Sequence, residues 1–275
     1  MNKDKHEVKL LQNIEPYAKT LDMLYHLNSK YTRGLMHRLS PRTSFKQHST
    51  IARTMPKEED IQLKNVSGNP CNTTFKDVLA IRRSIRDFKP TRLSKSTFTE
   101  LLRMAVGTIH DETSEEKDEI KNNKFTQGRT YPSAGAIYPI EVYVFAQSID
   151  EIARGIYRYE CYTETLVSIT KEQKDIENFL NSIMAGFDIQ NAHCFILFVS
   201  NWRTIKEKYL ARAYRLALLE AGHVAQNFCL SASANGLGSV MISSYYDKEI
   251  EDVLKLDGIN QSIVSMQIIG EPKGE

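Results

Sequence analysis

Past residue 70 the hydrophobic positions fall into short blocks separated by turn-forming residues. After Gly68-Asn69-Pro70, Thr74-x-x-Asp77 has the form of a capping box, with an acidic residue in place of the preferred Glu. Phe75, Val78 and Leu79 predict an apolar stripe on the helix that follows. Thr97-x-x-Glu100 predicts a second helix carrying Leu101, Leu102 and Ala105, with Gly107 as its C-terminal stop. Ile140–Ala146 alternates and is rich in Val, Tyr and Phe, the pattern of a strand. Ile156–Glu160 and Thr165–Ile169 predict a hairpin around Tyr162-Thr163-Glu164, and Cys194–Val199 is apolar throughout, as a strand covered on both faces would be. From Tyr209 to Asn235, Ala213, Leu216, Ala217, Val224, Phe228 and Ala232 recur at spacings near three and four. They predict one helix, about 40 Å long at ~1.5 Å per residue, that ends at Gly236. Ser262–Ile269 reads as a closing strand. Helices and strands mix without a βαβ rhythm or an internal repeat, so the expected class is α+β.

Charge divides the chain in two. The 275 residues carry 36 Lys and Arg against 34 Asp and Glu, but residues 1–70 hold 12 basic and 7 acidic side chains while the rest hold 24 and 27. From Lys30 to Lys57 there are seven basic residues (Lys30, Arg33, Arg38, Arg42, Lys46, Arg53 and Lys57) and no acid. Such a segment is either a solvated surface or a face for an anionic partner. Nucleic acid is excluded as that partner, because the segment carries no binding motif and the whole chain is nearly neutral. Asp111–Glu119, six acids against one Lys, predicts an exposed loop. No apolar run approaches the roughly 20 residues that cross a bilayer, so no membrane association is expected. The N-terminus is charged and has no apolar signal region, which points to a cytoplasmic protein. Four cysteines without a Cys-x-x-Cys pair and seven scattered histidines argue against a disulfide framework and against a dedicated metal site.

Three groups of residues have chemical potential. Arg82, Arg83 and Arg86 surround Ser84, and always-charged planar guanidinium groups suit phosphate oxygens; three arginines this close also fit a plain surface patch. Tyr131-Pro132-Ser133-Ala134-Gly135-Ala136-Ile137-Tyr138-Pro139 sets small residues between two prolines ahead of a strand. Such a loop lets backbone lie against a flat ligand, or simply enters the sheet tightly. Lys208-Tyr209 is placed at the opening of the long helix. An ammonium beside a phenol can transfer protons, but adjacent helical residues point about 100° apart, so cooperation requires a frayed or non-helical start. Otherwise the two are snorkelling surface side chains.

Taken in order, Arg82-Arg83-Ser84-Ile85-Arg86-Asp87-Phe88, Arg129–Pro139, Lys208-Tyr209 with Ala213-Tyr214-Arg215, Glu220-Ala221-Gly222-His223-Val224-Ala225-Gln226-Asn227 and Gly236-Leu237-Gly238 resemble the SagB-type, McbC-like branch of the nitroreductase superfamily over roughly residues 75–272. The resemblance implies a nitroreductase-like α+β fold, with a central, mostly antiparallel sheet flanked by helices and a long central helix. It implies FMN as cofactor, a homodimer, and oxidation of thiazoline or oxazoline rings to thiazoles or oxazoles in a ribosomally made peptide. A modified precursor peptide would be the substrate and a cyclodehydratase the partner. Carried over by position, Arg82, Arg83, Ser84 and Arg86 would hold the FMN phosphate and polar ring edge. Ser133, Gly135 and Ala136 would pack beside the flavin, with Gln226, Ser243 and Ser244 as further cofactor contacts. Lys208 and Tyr209 would be the catalytic pair, Tyr209 acting as base with Lys208 assisting. Many nitroreductases follow the last strand with a basic pair that reaches the flavin phosphate; after Gly270 this chain has only Lys273. Ala136 and Tyr138 stand where general nitroreductases tend to have Asn and Gln, which favours the azoline-oxidising branch. The rival readings are a generic NAD(P)H-dependent nitro or quinone reductase and a non-catalytic scaffold of a peptide-modifying complex.

The organisation expected is a basic N-terminal region, 1–70, for docking or dimer contacts, and a flavin-binding domain over 71–275. If the basic segment docks a partner or peptide, reversing the charge of Arg33, Arg38 and Arg42 weakens complex formation in a salt-dependent way; binding unchanged across salt concentrations, measured by titration calorimetry, removes that role.

Overall fold

The computed structural model describes residues 25, 30, 59–67, 72–109 and 128–274. The acidic run Asp111–Glu119 and the basic segment beyond Lys30 lie outside the described residues. The elements are β1 (Ile61–Gln62), α1 (Phe75–Ile81), α2 (Lys95–Val106), a 3-10 turn (Ala134–Ala136), β2 (Ile140–Ala146), β3 (Gly155–Glu160), β4 (Thr165–Thr170), α3 (Gln173–Asn181), β5 (Cys194–Asn201), α4 (Trp202–Tyr209), a second 3-10 turn (Leu210–Arg212), α5 (Ala213–Ala234), β6 (Gly238–Ile242), α6 (Asp247–Leu254) and β7 (Gln261–Gly270). The strands form one sheet in the order β1-β4-β3-β2-β5-β7-β6, and all six ladders between them are antiparallel.

Alternation along β5 assigns its two faces. Cys194, Ile196 and Phe198 pack with α2 and α5, against Leu101, Leu102, Ala217, Val224 and Phe228. Phe195, Leu197 and Val199 pack with α3 and α6, against Ile176, Phe179, Ile250 and Val253. The result is a sheet with helices on both faces, as the α+β, nitroreductase-like expectation requires. Alanines at 213, 217, 221, 225 and 232 line the buried side of α5, so that helix lies close to its neighbours. β1 belongs to this sheet too, through Ile61↔Leu166 and Gln62↔Thr165, although it comes before residue 71. Arg103 ties it in: its guanidinium donates to Glu164 at 2.6 Å and to the Val66 carbonyl at 2.7 Å.

Several local expectations shift. Thr74 caps α1 by accepting from the Asp77 amide, as the sequence suggests, but only Val78 of the predicted stripe is buried; Phe75 and Leu79 are exposed. The cap of α2 is Ser94 instead of Thr97: the Ser94 hydroxyl accepts from the Thr97 amide, one turn earlier than expected. Gly107 does end it, and a Cβ there would stand 2.3 Å from the Arg103 carbonyl oxygen. The helix predicted over 209–235 starts four residues later, because Tyr209 ends α4 and a 3-10 turn follows it. Leu210 adopts φ 48°, which an L residue resists and which breaks the ladder, so α5 starts at Ala213 and its 22 residues span about 33 Å. Periodicity could not reveal the break, because apolar positions on both sides of it keep helical spacing.

The sheet has two distinct ends. Ile140↔Ser200 and Asn201↔Gln261 mark one; Ala146↔Cys194, Cys194↔Ile269 and Gly238↔Gly270 mark the other, about 23 Å away along β5 at ~3.3 Å per residue. At the second end the chain after α1 runs beside β6. The Ile85 amide donates to the Ser239 carbonyl at 3.0 Å, and residues 87–89 pair with 271–273. A Cβ on Gly238 would sit 2.6 Å from Ile85 Cβ. Gly238→Ala is therefore expected to cost about 1–3 kcal/mol through overpacking, read by denaturant unfolding, whereas Gly186→Ala, where no atom lies within 4 Å, stays close to neutral.

Candidate active site

The loop that enters β2 is strained by sequence. Gly135, Ala136 and Tyr138 take φ of 60°, 54° and 53°. Gly135 adopts this freely, but each L residue in the left-handed region gives up about 1–2 kcal/mol. Several contacts hold the bend. The Ser133 hydroxyl accepts from the Tyr138 amide at 2.8 Å and donates to the Glu220 carboxyl. The Arg129 amide donates to the Tyr138 hydroxyl at 3.1 Å, and its guanidinium lies 4.6 Å from the Tyr138 ring and 5.2 Å from that of Tyr162. Tyr131 meets Tyr138 edge-on at 5.5 Å and accepts from Arg129 Nη1 at 2.8 Å.

Glu220 is the acid beneath this loop, 2% exposed. Burial pushes its carboxyl up to about 7, while the Ser133 hydroxyl, the Ile140 amide and Arg129 draw it partly back. Oε1 makes no hydrogen bond of standard geometry. Glu220 opens the Glu220–Asn227 motif, for which the resemblance implies no role at this position. Its signal lies in the α5 stripe, where residues 213, 217, 220, 224 and 228 follow one helical face and 220 alone is charged. A carboxyl on a packed face needs partners, and the Tyr131–Pro139 loop supplies them.

Lys208 and Tyr209 close α4 instead of opening the long helix. A Cβ built on Gly135 would stand 2.4 Å from Lys208 Nζ and 2.6 Å from the Tyr209 hydroxyl, so both functional ends converge on this one backbone position. The Lys208 ammonium is 5.5 Å from the Tyr209 ring centroid. The divergence expected of adjacent helical residues is relieved because the helix ends there, at Leu210. The following turn is braced by Tyr25, whose hydroxyl donates to the Ala211 carbonyl and whose ring meets Tyr214 at 4.9 Å.

Arg82, Ser84 and Arg86 lie at the other end of the sheet. Ser84 bridges Ser239, and among the described residues neither Arg82 nor Arg86 makes an ion pair. Arg83 instead turns back on its own helix, donating to the carbonyls of Ala80 and Arg82 at 3.0 and 2.8 Å. Lys273 joins this group: its amide donates to the Asp87 carbonyl at 3.1 Å and its ammonium lies 3.8 Å from Asp87 Oδ2. Ser243 and Ser244 are exposed just past β6, where the Ser244 carbonyl accepts from the Met184 amide, and Gln226 is exposed on α5. One chain therefore assembles Ser133, Gly135, Ala136, Lys208 and Tyr209 at one end, and Arg82, Ser84, Arg86 and Lys273 at the other. It does not bring the two groups together.

An antiparallel sheet wrapped on both faces by helices, with a long central helix, is the nitroreductase fold, and the sequence model of the Nitroreductase family matches residues 79–271. The chain belongs to that family of oxidoreductases. It is 31% identical over 197 residues to MJ1384, a nitroreductase-family protein of Methanocaldococcus jannaschii, covering 72% of this chain and 90% of that one. The microcin B17-processing protein McbC of Escherichia coli is 26% identical over 149 residues, 52% of this chain and about half, 54%, of McbC. A chain of the E. coli microcin synthetase McbBCD complex, solved with truncated pro-MccB17 bound, superposes with a TM-score of 0.59 at 20% identity, covering 97% of each chain. Among the described residues no helix is long and apolar enough to cross a membrane.

A left-handed φ combined with the close approach of Lys208 and Tyr209 disfavours any side chain at position 135. Gly135→Ala is expected to lose about 1–2 kcal/mol of unfolding free energy and to displace the ends of Lys208 and Tyr209; a loss no larger than that of Gly186→Ala would contradict this.

Proposed function

We propose that the protein is an FMN-dependent azoline dehydrogenase, of the SagB or McbC type, that oxidises thiazoline or oxazoline rings of a cyclised precursor peptide. The observation that carries this reading is the convergence of Lys208 Nζ and the Tyr209 hydroxyl on Gly135. Aromatising an azoline requires removal of a ring Cα proton, and a phenol next to an ammonium suits that step: the positive charge favours the phenolate. Tyr209 takes the proton and Lys208 stabilises the charge. A generic nitro or quinone reductase has no need of such a pair.

The residues fit the flavin. Arg82 and Arg86, with Ser84 between them and Lys273 nearby, offer charged donors for a phosphate, and the Ser133–Ala136 loop offers low-bulk backbone for a flat ring. When bound, FMN supplies the hydride acceptor that side chains lack. Because the two residue groups sit at opposite ends of the sheet, a complete site takes one group from each of two copies. A homodimer meets this requirement, and Phe75, Leu79 and Ile81 on α1, each at least half exposed, give it apolar surface. Likeness to a chain of a complex solved with a propeptide supports a peptide substrate and a cyclodehydratase partner. The expected setting is cytoplasmic.

Purified protein is expected to be yellow. Lys208→Ala and Tyr209→Phe should each retain the colour and lower azoline oxidation by about 10²–10⁴-fold. Retained oxidation sinks the assignment, rapid NAD(P)H-driven reduction of quinones favours a generic reductase, and a colourless protein favours a scaffold.

A further inference from the structure

We propose that Glu220 is the positioning residue of this site: acting through Ser133, it holds residues 133–138 in the left-handed bend that sets Gly135 against Lys208 and Tyr209. The inference rests on reading that loop as part of the active site, but its geometry stands on its own. Three residues of four, from 135 to 138, have positive φ, two of them not glycine, and such a bend persists only where surrounding contacts over-determine it. Beside the Arg129 and Tyr131 contacts on the Tyr138 side chain, the loop backbone is tied to α5 by one chain of donors, from the Tyr138 amide to the Ser133 hydroxyl and from that hydroxyl to Glu220. Its far end is fixed because α5 is packed on both sides of Glu220, with Ala217 and Val224 fully buried and Ala221 nearly so. A rigid helix thus sets the direction of the Ser133 hydroxyl, and the hydroxyl sets Tyr138.

This arrangement gives the loop a definite response to pH. Among the described residues, the groups acting on Glu220 are Arg129 and Tyr131 from the segment before the loop, Ser133 within it, and the Ile140 amide at the start of β2. Tyr131 is pushed up by burial, away from neutral pH, and leaves Glu220 as the group that titrates. In the closed loop burial favours the neutral carboxyl; opening lets water reach it and restores the ordinary value. The closed form therefore holds its proton to higher pH than the open form does. Closure is favoured below the open-state value and weakens as pH rises, until the carboxyl ionises in both forms.

Hydrogen exchange of the full-length protein tests this without using activity. Peptides covering residues 133–138 are followed from pH 6 to pH 8 and corrected for intrinsic exchange. With a closed value of about 7 against an ordinary 4.5, the wild-type opening constant should rise about tenfold over that range. Glu220→Gln, a neutral isostere able to accept from Ser133, should keep the low-pH protection and lose the slope. Ser133→Ala should lose protection of the Tyr138 amide at every pH, with exchange across 194–201 unchanged. A flat wild-type profile, a Glu220→Gln variant that keeps the slope, or protection that survives Ser133→Ala overturns the proposal. A colourless or azoline-inactive protein with the expected exchange profile would remove the proposed chemistry and leave the role of Glu220 intact.

Discussion

Between Cys194 and Val199 the chain presents six consecutive apolar side chains, and a strand of that kind needs an apolar layer on each face before its backbone can leave water. Most of the molecule can be derived from meeting that need. β2 and β7 satisfy the backbone of β5 on its two edges, and α2 with α5 and α3 with α6 close its two faces. Because α5 carries alanine at its closest contacts, its one buried carboxyl cannot swing out to solvent. It must find its partner in the loop that lies across it.

That placement links the core to the chemistry. The loop entering β2 would not hold three left-handed residues by itself; it does so because a packed helix, an arginine and two tyrosine rings fix its ends. The two side chains suited to proton transfer come from the last turn of a different helix, which stops just there because Leu210 leaves helical geometry. The proposed site is precise because it joins the ends of rigid elements, and the 133–138 bend, held in left-handed geometry by its contacts to Glu220, Arg129 and Tyr131, is where protonation would have leverage.

Much of this was legible in the residues. Alternation identified β2 and β7, the Tyr162–Glu164 turn identified the β3–β4 hairpin, and an unbroken apolar run identified β5, because each of these is a local property of extended chain. Of the residues singled out, Gly135, Lys208 and Tyr209 do come together. Arg83 was less legible: at the end of a short helix, its guanidinium finds the carbonyls of its own last turn more readily than a distant anion. Glu220 was hidden for the opposite reason, since an acid in a motif reads as solvated until a packed neighbour on either side shows that it is not.

By itself the sequence determined that α1, α2, most of α5 and β2, β3, β4, β5 and β7 are helix or strand, and which residue types could move a proton or hold a phosphate. Each of these depends on neighbours within a turn or two of chain. Tertiary structure alone decided that the 209–235 stretch breaks at Leu210, that Gly135 lies against Lys208 and Tyr209, that Glu220 reaches Ser133, and that the arginines sit at the far end of the sheet. Those facts depend on contacts between residues tens of positions apart, which no local period encodes. They were set by how the two faces of β5 had to be covered.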